Sequence, residues 1–179
     1  MTSLQVARCG LSVALLAASA AVSISVGPVP FTLQTMVLAM LPVALGGRDA
    51  SVAVALYLVL GALGLPVFSN LSGGVAVLAG PTGGFLWGFL AGTLLAWAIQ
   101  GAGALPPHVR EVLGLAAMLV TSYALGTLQL MWVSGAGPVA AVSAAVLPFV
   151  VPDAVKMAVG CSVGRAVRRA LSLTARSVR

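Results

Sequence analysis

Three long stretches of this chain, residues 9–47, 50–109 and 112–152, contain no Asp, Glu, Lys or Arg, and that feature alone rules out an ordinary water-soluble fold. Soluble domains carry about 25% charged residues. Here the figure is 7%, against 60% hydrophobic residues. Apolar stretches of this length need lipid around them. Disorder is excluded on the same ground, because so apolar a segment cannot stay solvated. Cys9 and Cys161 lie in apolar surroundings with no Cys-x-x-Cys or Cys/His neighbour, so neither a disulfide scaffold nor thiol redox chemistry is indicated. The net charge of +6 does not point to nucleic acid, because five of the nine cations crowd the tail (Arg165, Arg168, Arg169, Arg176 and Arg179). A membrane-side role fits that clustering better.

The pattern predicts an all-α, polytopic membrane protein: a six-transmembrane-helix bundle with Gly/Pro-rich outer loops, one domain over residues 1–179. Spans are expected near residues 6–25, 32–46, 50–65, 83–101, 109–133 and 147–168, breaking at Gly/Pro clusters and short charged turns. Arg8, the apolar run after it and Ala18-Ser19-Ala20 also resemble a cleavable signal peptide. The apolar run continues past that site, however, and a first membrane helix is the simpler reading. Arg8, Arg48, Arg110 and the C-terminal arginines fall on one side of such a bundle, while residues 26–31, 66–82 and 134–146 contain no charged residue. The positive-inside rule then puts both termini in the cytoplasm and the charge-free loops outside, in a bacterial cytoplasmic (inner) membrane.

Those outer segments are apolar and rich in glycine and proline. Irregular backbone of this kind survives at membrane depth only where protein or a cavity satisfies it. Residues 66–82 are therefore expected to fold over the bundle as a lid, with tight turns in the interface as the plainer alternative. Asp153 and Lys156 lie within the sixth apolar segment, where an ionisable residue costs roughly 2.5 to 3.5 kcal/mol at the membrane centre. At spacing i, i+3 they can neutralise each other. A pair that did only that would usually be no better than two apolar residues, so a binding role is favoured. With Pro148 and Pro152 marking the start of that helix, the acid and base are expected within a turn or two of the outer surface. They would form the wall of an outward-facing pocket with Thr32, Gln34, Asn70 and Thr82 as polar lining. Phe31, Phe68, Phe85 and Trp87 are candidate apolar contacts, although for any single one of them lipid or core packing is the better explanation.

Enzymatic chemistry finds no support. There is no phosphate-binding G-x-x-x-x-G-K-[ST] loop, since Gly80-Pro81-Thr82-Gly83-Gly84 lacks the lysine. The single histidine, His108, lies beside Pro106-Pro107 on the side opposite the pocket, and the three acids are too scattered for a metal site. No cofactor is expected. On the first span, Ala14, Ala17, Ala18 and Ala21 make a small-residue surface that either admits another helix or packs within the protein.

The blocks GPVPFTLQT (27–35), GALGLPVF (61–68), Gly73-Gly74 and GPTGGF (80–85), followed by Pro148-Phe149 with Asp153 and Lys156, resemble the BioY family in identity and order. BioY proteins are the biotin-specific substrate-capture (S) components of energy-coupling-factor (ECF) transporters. Phe85 stands where such proteins often have Tyr. The resemblance implies high-affinity biotin capture from outside and partnership with a transmembrane coupling subunit and cytoplasmic ATPase subunits. Homo-oligomerisation and transport without those subunits are left open, as are a different vitamin or a non-transporting membrane scaffold. On this reading the substrate-binding residues are Asp153, Lys156, Asn70, Phe31, Gln34, Gly80, Thr82, Gly83, Gly84 and Phe85. Asp153 and Asn70 would take the ureido head group, and the Gly80–Gly84 turn would bring backbone close to the ligand. The alanines of the first span would face a partner helix.

Overall fold

The computed structural model describes residues 3–25, 27–103 and 105–177, with side chains as far as residue 172. The Arg176 side chain and all of Arg179 lie outside the described residues. In chain order the elements are α1 (Ser3–Ala21), strands β1 (Ser23–Ser25) and β2 (Pro30–Thr32), α2 (Gln34–Leu45), α3 (Gly47–Ala62), a 3-10 turn (Ser69–Leu71), α4 (Val75–Ala79), α5 (Gly83–Gly101), α6 (Pro107–Ser134), α7 (Pro138–Ala145) and α8 (Leu147–Ser177). The described residues are all-α apart from one small hairpin. Helix occupies most of each expected membrane segment. Among the described residues, four stretches are long and apolar enough to cross a bilayer: Ser3–Ala21, Gly83–Gly101, Pro107–Ser134 and Pro138–Ser172. With 12 residues, α2 is about 18 Å long and falls short of a hydrocarbon core of about 30 Å.

The connectors differ most from expectation. The first is a hairpin, with Ser23, Ile24 and Ser25 paired to Thr32, Phe31 and Pro30, and Gly27 takes the positive φ (+82°) within the turn that reverses it. Residues 66–82 are ordered by the 3-10 turn and α4. Residues 134–146 are mostly helix, because Pro138 starts α7 and the irregular Val146 joins it to α8. Pro152, expected near a helix start, therefore lies inside α8. Asp153 sits six residues beyond the first residue of α8, about 9 Å along its axis.

Apolar on nearly all sides, α2 is the buried centre of the bundle. Glycines set the spacing of its neighbours. A Cβ on Gly164 of α8 would lie 2.7 Å from the Met40 carbonyl oxygen of α2, and one on Gly160 would strike that of Met36. On α5, Gly84, Gly88 and Gly92 recur every fourth residue along the face that meets α6. A Cβ on Gly88 would lie 2.5 Å from Ser122 Cα, and one on Gly92 2.8 Å from Met118 Cα. Lipid offers no hydrophobic drive for helices to associate, so close backbone contact of this kind is what holds such pairs together. The hairpin, α4 and α7 gather at one end of the bundle. The α2–α3 joint, the α5–α6 link and the arginines of α8 gather at the other.

The α5–α6 contact makes a direct prediction. Gly88→Val should lower the thermal midpoint of detergent-purified protein by an amount equivalent to about 1–3 kcal/mol. Gly10→Ala, in α1 where an added Cβ meets nothing, should leave it unchanged or raise it. Equal midpoints for Gly88→Val and wild type would show that the two helices do not depend on that approach.

Candidate functional site

At the hairpin end a cavity runs between β2, α2, α5, α6 and α8, lined by Val29, Pro30, Thr32, Gln34, Thr35, Ser69, Thr82, Phe85, Leu86, Phe89, Ser122, Tyr123, Ala145, Phe149, Asp153 and Lys156. Its floor holds the acid and the lysine of α8. Asp153 and Lys156 are 4% and 9% exposed, and Lys156 Nζ lies 2.5 Å from Asp153 Oδ1. Neither is left with the other as its only partner. Thr35 Oγ1, from the first turn of α2, donates to Asp153 Oδ1 at 3.0 Å. Tyr123 OH, from α6, donates to Oδ2 at 2.7 Å. Lys156 Nζ donates to the Thr32 carbonyl at 2.8 Å and stands 4.1 Å from the centroid of the Phe31 ring. That ring stacks on Phe149, with centroids 6.3 Å apart. Buried charge is tolerable only when it is hydrogen-bonded as well as paired, and here three helices and the hairpin meet that requirement together.

A second polar chain leads away from the pair. Thr32 Oγ1 donates to Gln34 Oε1 at 3.2 Å, Gln34 Nε2 to Tyr57 OH at 2.8 Å, and Tyr57 OH to the Val67 carbonyl at 2.9 Å. It ties the cavity wall to the start of the segment 66–82. Nearby, Gln129 Nε2 donates to the carbonyls of Leu78 and Gly80 at 2.8 and 2.7 Å, fastening α4 to α6.

Among the residues singled out from the sequence, Asp153, Lys156, Gln34, Thr82, Thr32 and Phe85 meet at this cavity, with Phe31 against the lysine. Asn70 does not join them. It is exposed and takes the left-handed conformation (φ 56°). Its side-chain oxygen accepts from Ser23 Oγ at 2.8 Å and its amide donates to Ser25 Oγ at 3.2 Å, so it fastens the 3-10 turn to β1. Gly80, Gly83 and Gly84 are also absent from the lining. A Cβ on Gly83 would strike the Leu78 carbonyl and one on Gly84 that of Leu125, so these glycines admit α4 and α6 rather than approach the cavity. Phe68 is core, edge-on to Tyr57 with centroids 5.4 Å apart. Trp87 is half-exposed, its indole N–H donating to the Leu78 carbonyl at 3.3 Å. On α1, Ala14, Ala18 and Ala21 are exposed and Ala17 half-buried.

Sequence reasoning missed Tyr123, Thr35, Ser122 and Phe149. A signal existed for Tyr123: a phenol in the middle of a long apolar helix needs a hydrogen-bond partner, and the only acid deep in the neighbouring apolar segments is Asp153.

The BioY family model matches residues 1–173. The chain belongs to the BioY family. Among curated BioY proteins, the biotin transporter BioY of Thermotoga maritima is 47% identical over 91 residues, which is 51% of this chain and 54% of that one. Biotin transporter BioY2 of Lactococcus lactis subsp. cremoris is 40% identical over 67% of this chain and 65% of its own length. The probable biotin transporter BioY of Pyrococcus horikoshii is 37% identical over 75% and 76%. The aligned stretches thus span just over half of the first relative and just under two thirds of the second. A crystal structure of the S-component for biotin from an ECF-type ABC transporter has the same fold, with a TM-score of 0.82 at 22% identity over 94% of this chain and 95% of that one.

The coupling between Asp153 and Lys156 is open to measurement. Lys156→Met leaves a buried carboxylate without its cation and should destabilise the protein by about 3–5 kcal/mol. The double variant Asp153→Leu/Lys156→Met should recover most of that loss. A double variant as unstable as the sum of the two single ones, followed by denaturation in detergent, would mean that the charges do not act as a pair.

Proposed function

We propose that this BioY-family chain captures biotin and mediates its uptake as the substrate-specific component of an ECF-type transporter. It sits in the bacterial cytoplasmic membrane as six spans, with both termini in the cytoplasm and the Asp153 cavity facing outward. On this reading α2 and α3 count as spans despite their length, screened from lipid in part by the helices around them.

The observation that carries the proposal is the unused hydrogen-bonding capacity of the buried pair. An ionised carboxylate offers about four acceptor sites and an ammonium three donors. Lys156 and Thr35 occupy Oδ1 and Tyr123 takes one site on Oδ2, while Asp153 and the Thr32 carbonyl take two lysine protons. One acceptor site on Oδ2 and one ammonium proton remain. Biotin's ureido ring presents an N–H beside a carbonyl, the complementary pair. We infer that Asp153 Oδ2 accepts from the ureido N–H and Lys156 donates to the carbonyl. Phe31, Phe85 and Phe149 would offer the apolar thiophane ring a matching wall. Gln34 and Thr82 supply further polar contacts. No bond of the ligand is broken in this scheme, so the protein acts as a carrier and not an enzyme.

An S component must also engage a transmembrane coupling subunit, with cytoplasmic ATPases supplying the energy. Small side chains let a partner helix come close, and the exposed Ala14, Ala18 and Ala21 of α1 are suited to that contact.

Two measurements test the proposal. Radiolabelled biotin should bind purified protein saturably, and Asp153→Asn should weaken it about a hundredfold, equivalent to roughly 2.7 kcal/mol for a buried charge-assisted hydrogen bond. Unchanged affinity would remove the carboxylate from recognition, and displacement by another vitamin instead of biotin would reassign the substrate. Separately, Ala18→Leu should abolish co-purification with the coupling subunit while leaving biotin affinity at the wild-type level. Loss of neither would take α1 out of the contact.

A further inference from the structure

At the end of the bundle opposite the Asp153 cavity lies a second and roomier cleft of about 790 Å³. It is bounded by the last turn of α2 from Pro42 to Gly46, by Gln100 at the end of α5, and by the first turn of α6. Arg165, Arg168 and Arg169 of α8 complete it. Its charges do not balance. Four guanidinium groups, those of Arg110, Arg165, Arg168 and Arg169, share the cleft with one carboxylate, Glu111.

Glu111 is already committed. It is 8% exposed, and its Oε1 accepts from Arg165 Nε at 2.7 Å and from the Cys161 thiol at 3.0 Å. Arg165 Nη2 also lies 2.6 Å from Oε1, whereas Arg168 Nη2 stands 3.7 Å from Oε2. One arginine is therefore neutralised closely and a second only loosely. Arg110 is aimed by a different contact: its Nη1 donates to the Gln100 carbonyl at 2.7 Å, while its Nε is buried without a hydrogen-bond partner. Burying a charged donor unpaired carries a cost, and like charges crowded in one cleft repel each other. Both features call for an anion that the described residues do not themselves provide there.

We propose that this cleft binds a phosphate-bearing anion, held by Arg110, Arg168 and Arg169, with Glu111 and Arg165 bracing the α6–α8 wall behind it. The planar guanidinium fork matches the geometry of phosphate oxygens, and several converging forks select phosphate over a single-point counterion. The anion is the headgroup of an acidic phospholipid or a soluble phosphate. A bound headgroup would draw α2, α6 and α8 together at this end. The inference does not depend on what the opposite cavity binds.

The test uses the full chain in nanodiscs of phosphatidylcholine with and without phosphatidylglycerol, and in detergent with inorganic phosphate added. Native mass spectrometry should find phosphatidylglycerol retained in preference to phosphatidylcholine, and the thermal midpoint should be higher in discs containing it. Arg110→Gln/Arg169→Gln leaves the Arg165–Glu111 pair intact and should weaken that retention about tenfold or more. Arg169→Gln alone, at an exposed position, serves the same purpose if the double variant does not fold. Protection by inorganic phosphate in detergent would assign the anion to the solvent and still support the site. Three results would overturn it. One is equal retention of the two lipids together with no protection by inorganic phosphate, and another is retention of lipid or phosphate by the arginine variants as strong as by wild type. The third is binding of an acid-rich peptide where neither phosphate probe binds, which would give the cleft to a protein partner.

Discussion

A carboxylate and an ammonium buried in a bundle this apolar impose the strongest constraint on the rest of the structure. Each charge would be intolerable alone in such surroundings. Their mutual attraction does not by itself meet the cost of desolvating both. The fold therefore brings a hydroxyl from α2, a phenol from α6 and a carbonyl from the hairpin to the same point. Asp153 and Lys156 act as a knot that fixes the relative positions of elements far apart in sequence.

Much of the remaining architecture serves that convergence. Glycines on α8 and α5 let backbones approach until short polar side chains can reach across. The hairpin lays Phe31 over the lysine and directs the Thr32 carbonyl at its ammonium. Asn70 and Gln129, though not at the cavity, pin the segments that border it. The result is a preformed polar floor under an apolar wall, an arrangement that holds a small ligand with a polar head and an apolar body.

The helical class and the approximate position of each long apolar helix were legible from charge-free stretches alone, and so was the isolation of Asp153 and Lys156. Periodicity and composition report on a helix and its environment. They do not report which helix lies beside which, and for that reason Tyr123 and Thr35 escaped notice although both touch the carboxylate. Turn-forming residues and binding residues share a composition, so the sequence does not distinguish Thr82, which reaches the cavity lining, from Asn70 and the glycines of the same kind of turn, which lie outside it. Only the tertiary arrangement separates a glycine that admits a ligand from one that admits α6. The every-fourth-residue glycines of α5 were visible in the sequence, whereas their partner face on α6 was not. Similarly, Pro138 reads equally well as a loop residue or as the first residue of a helix, and the structure takes the second course in α7.

The central claim is that this polar floor exists to hold biotin, and the most direct measurement identifies what the protein carries. The chain is produced in biotin-containing medium, purified in mild detergent without added ligand and denatured, and the released small molecules are quantified by mass spectrometry. About one biotin per wild-type chain and almost none per Asp153→Asn chain is the predicted result. Wild-type protein that releases no biotin, or that releases a different compound in stoichiometric amount, would contradict it.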